Sequence, residues 1–136
     1  MTFSYRTSSF QKMQGCIVGA TFALNQLPEA RSKQLEIINY RKNTQPYGDK
    51  SAGCIFRNPL PAHAGALIDK SGLKGSQMGG AKVSEMHANF IVNTAQAKAS
   101  DVLNLIEFIK KRVKEQTGYE LESEVRYIPY ETKNHE

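Results

Sequence analysis

The sequence predicts an α+β fold, in which helices cover one side of a small sheet. The clearest signal is a helix after Ser100, where apolar residues recur at helical spacing: Val102, Leu105, Ile106, Ile109 and Val113. Short apolar runs bounded by turn residues, such as 90–92, predict strands. With 136 residues, 40% of them apolar, the chain is long enough to bury one hydrophobic core.

The first third of the chain predicts one strand, one helix and a long loop. Residues 14–24 partly alternate between apolar and polar side chains, which is typical of a half-buried strand. A helix is expected to begin at Pro28, with Leu35 and Ile38 on its inner face. Turn residues then predict a loop over 43–53.

Shorter elements are predicted in the middle of the chain. Residues 54–56 are expected to form a short strand, and residues 63–70 a short helix that ends near Gly72. The glycine-rich stretch 71–87 predicts a loop with short extended pieces. Residues 90–92 then predict a brief strand.

The C-terminal third is dominated by the long helix. Ser100 is the expected N-cap, Asp101 lies in the first turn, and Gly118 is expected to end the helix. Residues 121–128 have strand character, and the polar tail after Pro129 is expected to be frayed.

Charge and composition exclude several classes of protein. The formal net charge of +5 favours anionic partners such as phosphates. The basic residues are not interleaved with aromatics, so a nucleic-acid-binding domain is not expected. The main cluster is interpreted as the solvated end of the long helix: Lys110, Lys111, Arg112 and Lys114.

The sequence also predicts a cytoplasmic protein without a membrane span or a metal site. No apolar run approaches the roughly 18 residues that a membrane span needs, and the N-terminus lacks the apolar region of a signal peptide. Cys16 and Cys54 are interpreted as free thiols. The three histidines show no spacing typical of zinc ligands.

One short motif, SAGCIFRNP at 51–59, combines groups that suggest chemistry. Gly53 permits a sharp turn or a close backbone approach, and Cys54 follows it at the start of an apolar run. Arg57 and Asn58 place a cation and an amide directly behind the thiol. A small buried hydrophobic residue is the common alternative for a free cysteine.

Three patches in order resemble one enzyme family. They are FSYRTSSF at 3–10, SAGCIFRNP at 51–59 and ELESEVRYIP at 120–129, and the segments 65–93 and 99–118 between them fit the same order and spacing. Together they resemble the C-terminal part of the UDP-N-acetylenolpyruvoylglucosamine reductases, also called UDP-N-acetylmuramate dehydrogenases. The spacing resembles the compact form of the family, which lacks an extra tyrosine-bearing loop.

The resemblance implies a flavoprotein of peptidoglycan precursor synthesis. Family members use NADPH and FAD to reduce UDP-N-acetylglucosamine enolpyruvate to UDP-N-acetylmuramate. Residues 1–45 would then be the end of the FAD-binding domain, with a remnant strand and a connecting helix. Residues 46–136 would be the substrate-binding domain. The N-terminal FAD-binding region of the family is expected as the partner of this chain, which alone is expected to be inactive and to bind no FAD.

The resemblance also implies three catalytic residues. Arg6 matches an arginine whose guanidinium stabilises the enolate-like charge that develops on the substrate. Glu124 matches a glutamate that faces the same substrate carboxylate and can donate a hydrogen bond when protonated. Cys54 stands where many members carry a serine as proton donor, and a thiol gives up a proton more readily than an alcohol. Alternation along a strand would place Glu122 and Glu124 on one face, so only the resemblance selects Glu124.

Substrate-binding residues follow from the same resemblance. Asn58 matches a substrate ligand, Tyr5 matches a tyrosine at the junction of flavin and substrate, and Gln45 is expected near the nucleotide end. His87 stands where some members carry a glutamine that contacts the substrate. A structural histidine beside the strand at 90–92 is an equally good interpretation of His87. A UDP-sugar-binding module without its own activity is the alternative function.

Overall fold

The computed structural model describes residues 1–4 and 7–129. The chain forms two compact units, residues 1–31 and residues 32–136. In the first unit, strands β1 (Phe3–Ser4) and β2 (Thr7–Ser8) pair antiparallel, and a 3-10 helix follows at Ser9–Lys12. The rings of Phe3 and Phe10 lie 6.1 Å apart between centroids.

The strand predicted over 14–24 is wrong. Residues 16–27 adopt neither helix nor strand, and Val18 and Phe22 are 96% and 77% exposed. A half-buried strand needs a neighbouring strand and a covering layer, which an alternating pattern does not itself provide. Within the described part of this unit, only β1 and β2 pair.

Helix α1 (Ala30–Thr44) corresponds to the helix that the sequence predicts, although it begins after Pro28 rather than at it. None of its residues is buried. Ile38 is half-buried, but Leu35 is 43% exposed, so the predicted inner face is only partly correct.

A four-stranded antiparallel sheet forms the centre of the second unit, with strand order β3-β6-β5-β4. Its strands are β3 (Ser51–Cys54), β4 (Gln77–Met78), β5 (Ala81–Val83) and β6 (Phe90–Asn93). The short extended pieces predicted in the glycine-rich stretch are β4 and β5. The strand predicted at 54–56 is displaced: β3 begins at Ser51 and ends at Cys54, and the loop that follows α1 is shorter than predicted.

Helices α2 (Ala64–Lys70) and α3 (Ala99–Thr117) pack with this sheet around one core, so the predicted α+β class is confirmed. The core is built mainly from aliphatic side chains of the helices and strands, together with one aromatic ring: Ile55, Phe56, Leu67, Ile68, Val83, Ile91, Leu105, Ile106, Ile109 and Val113. None of the helices among the described residues is long and apolar enough to cross a bilayer.

The C-terminal end of α3 matches the prediction, and its N-terminal end does not. Gly118 has φ 75°, a left-handed conformation that glycine adopts readily, and it ends the helix as predicted. At the other end the N-cap is Lys98 rather than Ser100. The Asp101 carboxylate accepts the backbone N–H groups of Lys98 at 3.0 Å and Gly80 at 3.3 Å, and these bonds lower the pKa of Asp101.

The strand predicted over 121–128 is reduced to one bridge, in which Ser123 pairs antiparallel with Phe56. This bridge places the C-terminal segment beside Phe56. The predicted frayed tail begins after Pro129 and lies outside the described residues.

Candidate functional site

Cys54 ends β3 directly after a β-bulge. Ser51 pairs with Val92 and Cys54 pairs with Phe90, so β3 has one more residue than β6 between these two pairs. Gly53 has φ 82° in this bulge, a conformation that a residue with a Cβ rarely adopts. The bulge leaves Cys54 half-buried at the end of the strand and starts the segment 54–58, which we call the CIFRN segment.

The C-terminal segment lies against the CIFRN segment. The Glu124 N–H donates to the Ile55 carbonyl at 2.8 Å, and the Arg57 N–H donates to the Glu122 carbonyl at 2.9 Å. With the bridge between Ser123 and Phe56, these bonds define a short antiparallel pairing. The structure therefore brings the half-buried Glu124 beside the residue that follows Cys54.

Glu122 is exposed and Glu124 is half-buried, and the expectation that both lie on one face of a strand stays a prediction. The Glu122 carboxylate makes an ion pair with the Arg57 guanidinium at 3.2 Å, and both side chains are mostly exposed. Ser123 between them forms the bridge to Phe56.

Asn58 lies at the other end of the CIFRN segment and caps helix α2. Its Oδ1 accepts the backbone N–H of Ala64, the first residue of α2, at 3.0 Å. The side chain of His63, which is the N-cap residue, makes no capping bond. Asn58 is half-buried, and its Nδ2 group remains a donor that can face a ligand.

His87 lies beside Phe90, the residue that pairs with Cys54. Its ring packs edge-on against Phe90 with 4.9 Å between centroids, and its Nδ1 accepts the Asn89 N–H at 3.2 Å. The neutral ring therefore carries its proton on Nε2. Burial lowers the pKa of His87, and the charge of Lys74 lowers it further, while a backbone hydrogen bond partly opposes both effects.

Because the pKa of His87 is lowered in the folded chain, we expect this residue to make the folded chain less stable at acidic pH. Above a pH of about 6.5, the ordinary value for histidine, the ring is neutral in both the folded and the unfolded chain. As the pH falls below that value, the unfolded chain binds the proton more readily, so the free energy of unfolding decreases. Denaturant unfolding at several pH values from 8 down to 5 should show this decrease, and His87→Gln should reduce it. His63→Gln removes an exposed imidazole and is the matched control; an equal reduction in the control would contradict this prediction.

Asn89 is a buried residue that the sequence reasoning missed. It is 4% exposed, and its side chain bonds both backbone groups of Phe56. The only signal in the sequence is an amide that directly precedes the apolar run 90–92.

Three further residues were predicted to belong to the site: Gln45, Tyr5 and Arg6. Gln45 directly follows α1, and its Oε1 accepts Nε of Arg41 at 3.4 Å. Tyr5 and Arg6 lie outside the described residues. The functions of all seven predicted residues stay predictions.

Three of the four residues in the basic cluster on α3 pair with acidic residues. Lys110 pairs with Glu107 at 2.9 Å and Arg112 with Glu115 at 3.5 Å. Lys114 pairs with Glu120, which raises the pKa of Lys114 and lowers that of Glu120. These exposed pairs agree with the interpretation of the cluster as a solvated helix end. Within residues 1–4 and 7–129, no three histidine, cysteine or acidic side chains lie close enough to hold a metal ion.

The comparison with protein families places this arrangement in a known context. Residues 45–128 match the model of the C-terminal domain of UDP-N-acetylenolpyruvoylglucosamine reductase. The chain belongs to the UDP-N-acetylenolpyruvoylglucosamine reductase family. The matched range contains the CIFRN segment, His87, Asn89 and Glu124, and the resemblance described from the sequence is confirmed at the level of the family.

Individual reductases of this family are similar over nearly the whole chain. The UDP-N-acetylenolpyruvoylglucosamine reductase of Protochlamydia amoebophila is 60% identical over 131 residues, which are 96% of this chain and 44% of the relative. The reductase of Bacillus velezensis is 55% identical over 94% of this chain and 43% of its own length. The crystal structure of the Thermus caldophilus reductase is similar with a TM-score of 0.61 and 44% identity, over 74% of this chain and 35% of that one. This chain thus spans less than half the length of the curated relatives it matches.

Proposed function

We propose that this chain supplies the substrate-binding part of a reductase that converts UDP-N-acetylglucosamine enolpyruvate to UDP-N-acetylmuramate for peptidoglycan synthesis. The observation that carries the proposal is the family match over 45–128, which contains Cys54, Asn58 and Glu124 around one strand end. The relatives are named as reductases of the corresponding substrate. The domain boundary at 45/46 and the cytoplasmic location stay predictions.

In the proposed reaction, the enolpyruvyl double bond gains a hydride at one carbon and a proton at the neighbouring carbon. The Cys54 thiol donates the proton and becomes a thiolate, which takes a proton back from solvent after the product leaves. Its position at a strand end, half-buried behind a bulge, keeps the thiol fixed while leaving one side open to a substrate.

Glu124 and Asn58 hold the substrate in this proposal. Glu124, beside Ile55, donates a hydrogen bond from its protonated carboxyl to the substrate carboxylate, where negative charge develops. The Nδ2 of Asn58 donates to the substrate, while its Oδ1 is held by α2. His87 can donate from Nε2, since its Nδ1 is occupied by the Asn89 N–H. Arg6 is proposed to stabilise the same developing charge.

FAD and NADPH are proposed for the longer protein rather than for these residues. When bound, FAD supplies the hydride, which comes from NADPH. The glycine pair Gly79 and Gly80 is the nearest candidate for a phosphate cradle, but it does not fit that use. The Gly80 N–H is already donated to the Asp101 carboxylate, and a negative charge at that place disfavours a phosphate. We therefore propose that the flavin site lies in the part of the reductases outside the segment that this chain matches.

A chimera tests the proposed function and separates it from the alternative. Residues 1–136 replace the matching C-terminal segment of the Protochlamydia amoebophila reductase, and NADPH oxidation is measured with the enolpyruvyl substrate. We expect substrate-dependent turnover by the chimera, and no turnover and no bound flavin for the 136-residue chain alone. A folded, flavin-loaded chimera that does not reduce the substrate would contradict the proposal. A chain that alone keeps flavin absorbance at a near one-to-one ratio through gel filtration would contradict the assignment of FAD to the other region.

The alternative function is a UDP-sugar-binding module without activity of its own, which is motivated by the match to the C-terminal domain of the reductase. Calorimetric titration of the 136-residue chain with the enolpyruvyl substrate measures this binding. Binding by the chain together with an inactive chimera would favour the module over the reductase.

A further inference from the structure

The side-chain amide of Asn89 makes the two hydrogen bonds to Phe56 that the backbone of a neighbouring strand would otherwise make. Its Oδ1 accepts the Phe56 N–H at 2.9 Å, and its Nδ2 donates to the Phe56 carbonyl at 2.9 Å. The Asn89 carbonyl also accepts the Ile55 N–H at 2.9 Å. Three hydrogen bonds therefore join one residue to the middle of the CIFRN segment.

The need for this substitute follows from where β6 begins. Cys54 pairs with Phe90, the first residue of β6, and the chain before Phe90 turns, because the Phe90 N–H donates to the His87 carbonyl at 2.9 Å. Beyond Cys54, the CIFRN segment therefore has no residue of β6 opposite it. Ile55 and Phe56 are each only 1% exposed, so their backbone groups must find partners inside the protein.

The residue held by Asn89 lies at the centre of the candidate site. Phe56 is midway between Cys54 and Asn58 in the sequence. On its other edge Phe56 pairs with Ser123, the neighbour of Glu124. A shift of Phe56 would therefore move the thiol, the amide and the carboxyl relative to one another.

We infer that Asn89 is a positioning residue of the proposed reaction, which fixes Cys54 through the backbone of Ile55 and Phe56. This inference rests on the proposed function. Asn89 is 4% exposed, so it acts through the CIFRN segment and not by touching the substrate. Displacement of a reacting group by about 1 Å can slow a reaction roughly 100-fold, so the geometry that Asn89 maintains matters for the rate.

The test uses Asn89→Leu, which keeps the size of the side chain and removes both of its hydrogen bonds. The matched control is Asn93→Leu, which makes the same change at the other end of β6, at an exposed asparagine whose Oδ1 accepts the Ala97 N–H. In the 136-residue chain, amide hydrogen exchange at Phe56 should be at least about 10-fold faster in Asn89→Leu than in the control. If Asn89→Leu does not fold, Asn89→Gln, which moves the amide by one methylene, replaces it.

In the chimera, Asn89→Leu should lower the rate of substrate reduction by about 10- to 100-fold and leave flavin reduction by NADPH unchanged. A double-mutant cycle identifies the route of the effect. Added to Cys54→Ala, the same substitution should cause a smaller further loss than it causes alone, because one of the three groups that it displaces is already gone.

Each result then decides a separate question. Unchanged exchange at Phe56, or equal slowing with and without the Cys54 thiol, would overturn the positioning function. An unmutated chimera that folds and binds flavin but does not reduce the substrate would count against the proposed function instead. In that case the exchange measurement still decides whether Asn89 holds the segment.

Discussion

Replacing Cys54 with alanine in the chimera is expected to lower the rate of substrate reduction by about two to four orders of magnitude, the usual effect of removing an acid catalyst. The thiol is the group that the proposal assigns to proton donation. Alanine removes it without disturbing the backbone pairing of Cys54 with Phe90. The measurement is stopped-flow absorbance of the flavin after it has been reduced and mixed with the enolpyruvyl substrate.

Cys54→Ser is the matched control, because a hydroxyl can fill the same position and pass on a proton. It should keep substantial activity. The flavin-reduction step with NADPH should be unchanged in both variants, since a proton donor to the substrate acts only afterwards. If flavin reduction slows as much as substrate reduction does, Cys54 is not the proton donor. Cys16 is exposed in the first unit and should be replaced by serine in all variants, so that its oxidation does not affect the comparison.

The sequence predicted the second unit well because local signals and long-range packing agree there. Helix α3 has a wide apolar face and a glycine that ends it, and both act within the helix itself. The same agreement explains why α2 and β6 could be predicted from short stretches of sequence, whereas β4 and β5 are predicted only as short extended pieces of a loop. The strand predicted over 14–24 failed because its pattern carried no information about a partner strand.

The site could be predicted only in part, for a physical reason. The chemical groups of Cys54 and Glu124 can be named from the sequence once the family is suspected. The hydrogen bonds that bring them close join residues such as Ile55 and Glu124, which are far apart in the chain. No local pattern encodes such a contact. Asn89 was missed for the same reason, because a buried amide that completes a backbone ladder looks like any asparagine before a strand.

Glu124 gives the second large prediction. Glu124→Ala should slow substrate reduction in the chimera by about 100-fold, equivalent to roughly 3 kcal/mol of lost stabilisation of the developing charge. The backbone N–H of residue 124 stays bonded to the Ile55 carbonyl in the alanine variant, so the pairing that places this segment is retained. The loss should appear in the rate at saturating substrate more than in KM, because the charge is largest in the transition state.

The neighbouring glutamate supplies the control for this prediction. Glu122→Ala makes the same change two positions away and breaks an exposed ion pair with Arg57, which contributes at most about 1 kcal/mol to stability. It should leave the rate of substrate reduction nearly unchanged. Glu124→Gln should recover part of the lost rate, because an amide N–H can still donate to the substrate carboxylate although it cannot carry the proton of a carboxyl group. Equal rates for Glu122→Ala and Glu124→Ala would remove Glu124 from the reaction, since the loss of either carboxyl group would then have the same effect.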